Sequence, residues 1–174
     1  MNMNKTIEDL KTRRSNRKYK DTQITRKELD TVLEAGKCAP SAKGLQSPII
    51  IAIQDKETRD YLSKLNAQFT TASGDPFYGA PTVLVVLADA SNPNAVPDGS
   101  LVMGNLLNAA HAIGLGSCWI NRAREVFNTE EGRALLKNWG VVGEYIGIGN
   151  CILGYPEDDP KPHPCKENYV YYVL

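Results

Sequence analysis

A compact basic group, R-R-S-N-R, occupies positions 13–17 near the start of this 174-residue chain. Arginine forms bidentate, charge-assisted hydrogen bonds with phosphate, and the Ser15 hydroxyl adds another donor. Each hydrogen bond to a charged group contributes roughly 1.5–3 kcal/mol net, so three could supply much of the about 8 kcal/mol of a micromolar complex. From charge alone, a solvated basic run explains the segment at least as well as an anion site.

A second candidate segment, A-P-S-A-K-G-L-Q-S-P, lies at 39–48 between a predicted helix and a predicted strand. Its small residues and prolines would let the backbone approach a flat ligand closely. The Gln46 amide offers both a donor and an acceptor to the edge of a ring. An ordinary helix-to-strand connection would have the same composition.

A third candidate, G-L-G-S-C-W-I-N, occupies 114–121 after an apolar helix. A turn at this place could aim backbone N–H groups at a ligand, and Trp119 could supply an aromatic wall. The alternative is a core strand with a packed tryptophan.

Several kinds of reactive site are missing from the sequence. There is no dinucleotide-binding G-x-G-x-x-G after a strand, no Walker A loop and no G-x-S-x-G nucleophile turn. The two histidines, His111 and His163, do not have zinc-site spacing with any cysteine, so we predict no metal. An enzyme with this sequence would need no catalytic side chain and would take its reactivity from a cofactor.

Length and charge narrow the classes of protein further. The length predicts a single domain over 1–174. Twenty basic residues balance twenty acidic ones, so no net field attracts nucleic acid or an anionic membrane. We expect no secretion signal or membrane span, and four cysteines without a C-x-x-C pair favour reduced thiols in the cytoplasm.

Local start signals predict two helices before the first strand. Thr25 followed three residues later by Glu28 forms a capping box. The earlier helix should open at Thr6 and bury Ile7 and Leu10.

The rest of the chain alternates between predicted strands and helices. Strands are expected at 48–53, 82–88, 145–153 and 168–174, with further helices at 55–65, 98–113 and 129–139 and surface loops at 90–98 and 156–164. The 82–88 strand is apolar on both faces and should be central. The 98–113 helix is apolar on more than one stripe, which predicts burial nearly all round and suggests cover from a partner subunit. The order of elements predicts an α+β fold with a mixed sheet.

Taken in order, these segments resemble the FMN-dependent nitroreductase family over nearly the whole chain. The matching residues are R-R-S-x-R-x-Y at 13–19, A-P-S-A-x-G-x-Q at 39–46, G-A-P-T-V-L-V-V at 79–86, N-L-L-x-A-A-H-A-I-G-L-G-S-C-W-I at 105–120 and L-G-Y-P-E at 153–157. The resemblance implies an α+β sandwich with a mixed, mainly antiparallel sheet and helices on both faces. It also implies an interlocked homodimer with FMN at the interface.

The resemblance implies a role for each candidate segment. Arg13, Ser15 and Arg17 would bind the FMN phosphate and ribityl chain, with Arg14 and Lys166 nearby. From the partner subunit, Pro40, Ser41, Ala42 and Gln46 would cover the isoalloxazine. The ring would be lined by Cys118, Trp119, Ile120 and Asn121, with a backbone N–H near Asn121 directed at flavin N5. The segment 168–174 would embrace the partner.

The implied reaction is a ping-pong hydride transfer. NADH or NADPH would reduce the flavin, and a small electron-poor acceptor such as a nitroaromatic or quinone would then take its place. Other flavin reactions on the same scaffold stay open, among them ene-reduction, dehalogenation and flavin reduction. So do a flavin storage or sensor protein and a chain that has lost FMN.

Three features of the sequence depart from the family pattern, two single residues and one short region. Cys165 stands where an arginine is expected, which predicts weaker phosphate binding through Lys166 or a protonated His163. Gly44 replaces a common asparagine, which removes one polar contact to the flavin. The region 88–98 is short, which predicts an open site with loosely constrained substrates.

Overall fold

The computed structural model describes residues 4–71 and 73–174, and the elements named here are those found within them. In chain order they are α1 (Lys5–Thr12), α2 (Arg26–Lys37), a short 3₁₀ helix (Ala42–Gly44), β1 (Pro48–Ile53), α3 (Lys56–Ala67), β2 (Thr82–Asp89), α4 (Ala95–Ala112), β3 (Gly116–Ile120), α5 (Ala123–Phe127), α6 (Glu130–Asn138) and β4 (Tyr145–Gly154). Within those residues, none of the helices has both the length and the apolar character needed to span a bilayer.

The strands form one sheet in the order β1-β2-β4-β3, and each pair among the described strands is antiparallel. β2 is an inner strand, and residues 82–88 are completely buried, as two apolar faces predict. β1 and β3 are the edges of the sheet. The expected α+β class with a mainly antiparallel sheet is confirmed.

Helices cover both faces of the sheet, as the resemblance implied. On one face, α3, α5 and α6 contribute to a core that includes Leu62, Phe127 and Leu136. On the other face, α2 and α4 contribute Val32 and Leu106 to a second core. Because β2 has side chains in both cores, it ties the two layers together.

The capping box predicted at the start of α2 is present. The Thr25 hydroxyl accepts from the Glu28 N–H, and the Glu28 carboxylate accepts from the Thr25 N–H at 2.7 Å. The hydrogen bonds from Thr25, followed by one from the Tyr155 hydroxyl, hold the pKa of Glu28 below its ordinary value. A local sequence signal therefore positions both the helix and the strand end that approaches it.

The prediction for α1 was partly wrong. The helix begins at Lys5, with Asn4 rather than Thr6 as its N-cap. Ile7 and Leu10 are 49% and 51% exposed instead of buried. α1 packs against α4 and the residue it buries is Asp9, so the described chain covers only about half of its apolar side chains.

The predicted bounds and burial of α4 also need correction. The helix begins at Ala95, so the surface loop expected at 90–98 is shorter than predicted. Pro97 lies in the first turn, where its missing N–H would have had no helical partner in any case. Burial is not all round, because Leu101 and Ile113 are 47% and 38% exposed.

The segment at 114–121 and the C-terminal segment complete the comparison of elements. The segment at 114–121 is mostly strand β3, which is the alternative of a strand with a packed tryptophan, and the short helix α5 that follows it was not predicted. The strand predicted at 168–174 is absent, and these residues are exposed and irregular. A strand needs a hydrogen-bonding neighbour, and 168–174 pairs with none of the described strands.

Candidate functional site

The basic segment 13–17 lies along the edge strand β3. It leaves α1 at Arg13, and the Asn16 N–H donates to the Ser117 carbonyl at 3.0 Å. Because β3 is an outer strand, this contact occupies part of an edge that no other described strand covers. The fold therefore brings the first and third candidate segments together.

Asn16 and Asp158 hold the backbone of this segment in place. The Asn16 amide donates to Asp158 Oδ1 at 2.7 Å, and the Arg17 N–H donates to Asp158 Oδ2 at 2.9 Å. The buried Tyr19 donates its hydroxyl to the Asn16 carbonyl at 2.7 Å, and burial raises the pKa of Tyr19. Sequence reasoning missed Asp158 and the positioning role of Asn16, because these two partners are 142 positions apart, whereas Tyr19 stands in the motif at 13–19.

The arginines of the segment have unused donors. Arg13 Nη1 and Arg14 Nε are buried without a hydrogen-bond partner in the described part of the chain. Arg14 also donates through Nη1 to the Lys11 and Arg13 carbonyls. Burial raises the pKa of the Cys151 thiol to about 12, and the charge of Arg13 opposes that rise, so Arg13 lies near the sheet. Buried guanidinium donors without acceptors fit an anion.

Ser15 and Arg17, the other two predicted phosphate ligands in this segment, differ in how exposed they are. Ser15 is half-buried beside the two arginines, whereas Arg17 is exposed.

His111, in the last turn of α4, lies 2.9 Å from the Thr12 hydroxyl through Nε2. Because that hydroxyl already donates to the Glu8 carbonyl, the imidazole donates to it. His111 thus ties the segment's starting point to α4.

The 39–48 loop is tied to the opposite end of α4. The Ala42 N–H donates to Asp98 Oδ1 at 2.9 Å, and the Ser47 hydroxyl approaches Asp98 Oδ2 at 3.4 Å. Within the loop the Gln46 N–H donates to the Ser41 hydroxyl at 2.9 Å. Asp98 is only 2% exposed and was not recognised from the sequence, where it looked like an ordinary helix-starting acid.

These anchors separate the loop from the basic segment within one chain. Asp98 lies in the first turn of α4 and His111 in the last. Thirteen residues at a rise of 1.5 Å separate them along the axis by about 20 Å. One chain therefore does not bring its own Pro40 to its own Arg13.

The ring-lining candidates alternate across β3. Cys118 is 2% exposed and, like Ile120, packs on the α3 face, so only its main chain is free to line a ligand. Trp119 packs on the other face against Gly149, where a Cβ would lie 2.7 Å from the indole nitrogen. That nitrogen is buried without a hydrogen-bond partner in the described residues. Asn121 is exposed just beyond the strand.

A cavity of about 290 Å³ opens at the end of β3. Its walls come from the start of α4, the end of β3, α5 and the start of β4, and the polar and aromatic side chains among them are Ser100, Trp119, Asn121, Arg122, Arg124 and Glu125. The cavity lies next to the predicted ring residues and beyond the basic segment along the same strand.

Lys166 lies in the exposed C-terminal segment, with its ammonium 5.7 Å from the centre of the Tyr169 ring. The described contacts do not join it to the arginines. Cys165 beside it is exposed and unpaired. Of the predicted phosphate ligands, Lys166 is the one that the structure leaves apart.

The comparisons with known proteins all indicate the same family. The sequence pattern of the nitroreductase family matches residues 10–155. A solved nitroreductase with bound FMN from Bacteroides fragilis is similar to this chain, with a TM-score of 0.91, 27% identity and coverage of 99% of this chain and 100% of the other. An FMN-dependent nitroreductase from Clostridium difficile is 30% identical, with a TM-score of 0.81 and coverage of 97% and 99%. An FMN reductase [NAD(P)H] of Bacillus subtilis is 27% identical over 93% of this chain and 70% of its own length.

Proposed function

Because this chain belongs to the nitroreductase family, we propose that it is an FMN-dependent oxidoreductase. It uses NADH or NADPH to reduce nitroaromatic, quinone or similar electron-poor acceptors. The observation that carries the proposal is the pair of buried, unpartnered guanidinium nitrogens on Arg13 and Arg14. They lie beside β3, an outer strand whose edge is uncovered by the other described strands and is contacted by Asn16.

The phosphate end of FMN binds at the basic segment. Arg13, Ser15 and Arg17 supply charged and hydroxyl donors, and Arg14 adds to the local positive charge. The bonds of Asn16 to Ser117 and Asp158 keep these residues at the β3 edge without the cofactor. Pre-positioning of this kind lowers the ordering cost of binding. Lys166, on an irregular segment, would have to move to join them.

The ring end of FMN lies along the far part of β3. Trp119 would give it apolar contact, Cys118 and Ile120 would line it through their main chain, and a backbone N–H near Asn121 would donate to the edge of the ring. When bound, the flavin supplies the redox chemistry, accepting a hydride from NAD(P)H and passing reducing equivalents to the acceptor. We assign no side chain the role of acid or base. The protein's part is to hold the ring, keep one face accessible and supply a fixed donor.

A second copy of the chain completes the site. Apolar side chains that one chain leaves exposed support this, among them Ile7 and Leu10 on α1 and Val96 on α4. In the homodimer, Pro40, Ser41, Ala42 and Gln46 of the second copy lie over the isoalloxazine. The exposed apolar residues of 169–174 and the half-exposed Leu101 on α4 become covered at the interface.

NAD(P)H and the electron acceptor bind one after the other at the same place. The cavity at Trp119 and Asn121, about 290 Å³, is at the small end of the range for one ligand. Beside a flavin ring placed along β3, it would admit no more than one further aromatic ring system at a time. This supports a ping-pong order, in which the oxidised nicotinamide leaves before the acceptor enters.

Substitution of Arg13 by alanine tests the proposal directly. We expect the wild-type protein to purify yellow, and Arg13→Ala to lose flavin absorbance on desalting because the phosphate loses charge-assisted bonds. Arg133→Ala, an exposed position on α6, is the matched control. Full retention of flavin by Arg13→Ala would contradict the phosphate role.

Turnover separates an enzyme from a flavin carrier. We expect NADH or NADPH oxidation by the yellow protein to depend on an added quinone or nitroaromatic. Bound FMN that is never reduced by either nucleotide would favour a storage or sensor protein instead. Parallel initial-rate lines at several acceptor concentrations would support the ping-pong order.

A further inference from the structure

Arg122 holds an unusual backbone conformation just after β3. Its φ of 81° and ψ of 4° lie in the left-handed region, which glycine enters freely and other residues seldom do. A glycine at this turn would avoid the steric cost. The conformation therefore points to a use for the arginine side chain.

That side chain reaches a carboxylate at the edge of the cavity. Arg122 Nη1 donates to Glu125 Oε1 at 2.8 Å, and both residues are partly exposed there. This hydrogen bond, aided by the charges of Arg122 and Arg124, keeps the pKa of Glu125 below its ordinary value. Glu125 is therefore ionised at neutral pH and balances one of the two positive charges.

Arg124 supplies the positive charge that Glu125 does not balance. It lines the same cavity, and its guanidinium forms neither a hydrogen bond nor an ion pair within residues 4–71 and 73–174, acting on Glu125 through its charge alone. The cavity thus has a net charge of +1 from Arg122, Arg124 and Glu125, next to the aromatic surface of Trp119. The chain as a whole is neutral, so this charge is a local property of the cavity.

We propose that Arg122 and Arg124 select substrates that carry an anionic oxygen group, a carboxylate or a phosphate, attached to the molecule that enters beside Trp119. The proposal rests on the oxidoreductase function proposed above and adds a substrate class to it. Arg124 offers the free planar donors that bind such a group in a bidentate manner. Glu125 holds Arg122 in place and competes with the incoming anion.

Two substrates could bring the anionic group. One is an acceptor with a ring carboxylate, and the other is NADPH, whose 2′-phosphate is absent from NADH. Two matched pairs separate them: 4-nitrobenzoate against 4-nitrobenzamide as acceptors, and NADPH against NADH as donors. Each pair gives a ratio of kcat/KM values that cancels general damage to the enzyme.

We expect Arg124→Gln to lower the ratio for 4-nitrobenzoate over 4-nitrobenzamide, or that for NADPH over NADH, by about fivefold, as for an ion pair in contact with water. Glu125→Gln should raise the same ratio, because it removes the competing carboxylate. Arg133→Gln removes the same charge from the first turn of α6, where the guanidinium donates to the Asn128 carbonyl and does not line the cavity, and it should leave both ratios as in the wild type. Added salt should lower the wild-type ratio more than that of Arg124→Gln.

Two results would overturn the proposal. One is an Arg124→Gln enzyme in which neither ratio changes. The other is loss of FMN from that variant, which would assign the arginine to the cofactor. Calorimetric titration of the flavin-loaded protein with 4-nitrobenzoate and 4-nitrobenzamide decides the selection without turnover. If no acceptor is reduced, the oxidoreductase proposal fails, while a preference for 4-nitrobenzoate that Arg124→Gln abolishes still supports the anion site.

Discussion

Asn16 and Asp158 lie 142 positions apart, and the Asn16 amide donates to the Asp158 carboxylate at 2.7 Å. The other carboxylate oxygen accepts from the Arg17 N–H. One aspartate after the last strand thus sets the backbone path of the basic segment. This contact therefore helps to position Ser15 and Arg17, the predicted phosphate ligands on either side of Asn16.

Asp158→Ala should weaken FMN binding about tenfold, the cost of losing about 1.4 kcal/mol of positioning hydrogen bonds. The arginines remain, so binding should weaken rather than disappear. Titration of the flavin-free protein with FMN, followed by quenching of flavin fluorescence, measures the change. Asp159→Ala is the control, since Asp159 is exposed next to it. Equal affinities in the two variants would show that Asp158 does not position the segment.

Asp98→Ala should destabilise the protein by about 1–3 kcal/mol, because it leaves the part-buried Ala42 N–H without an acceptor. Asp98→Asn keeps one acceptor oxygen in the same shape and should cost less. The free energy of unfolding in urea, measured for both variants, checks the order. In the dimer, the loss of loop order should also weaken flavin retention. A wild-type unfolding midpoint for Asp98→Ala would contradict the anchoring role.

Removal of residues 168–174 should shift the protein from dimer to monomer. These residues make no described strand and include exposed apolar side chains, so a partner is the surface that would bury them. Light scattering after size-exclusion chromatography gives the mass directly. A truncated chain that stays dimeric and retains FMN would show that the interface lies elsewhere.

Ionisation of Asp75 should make the free energy of unfolding depend on pH. Burial opposes ionisation, but hydrogen bonds from Ser63 and Arg59 and from two backbone N–H groups outweigh it and hold the pKa of Asp75 below its ordinary value. A carboxyl with a lowered folded-state pKa contributes stability above its unfolded pKa, and the contribution disappears as pH falls through the folded value. The loss should therefore begin near pH 4 and continue below it.

Asp75→Asn measures this contribution. At pH 7 the variant should be less stable than wild type by about 1–3 kcal/mol, and the difference should shrink below pH 4. Asp21→Asn, at an exposed position, serves as the control. A difference that stays constant between pH 7 and pH 3 would rule out the linkage.

Much of the local structure could be read directly from the sequence. The Thr25–Glu28 capping box starts α2 where predicted, and the two apolar faces of residues 82–88 predicted an inner strand. These signals depend on residues a few positions apart, or on the period of one element. The family motifs belong to the same class, because each is a short run whose residue types can be recognised without knowing what they touch.

Contacts between distant segments were decided by the tertiary structure. Pro97 looked like a loop signal but lies in the first turn of α4, and 114–121 fitted either a turn or a strand with a packed tryptophan until the fold placed most of it in the edge strand β3. The roles of Asp98 and Asp158 depend on partners that lie at least 50 positions away along the chain. No local pattern contains such a partner, because packing of the two layers is what brings the groups within hydrogen-bonding distance. The same packing places the basic segment and the 39–48 loop at opposite ends of α4.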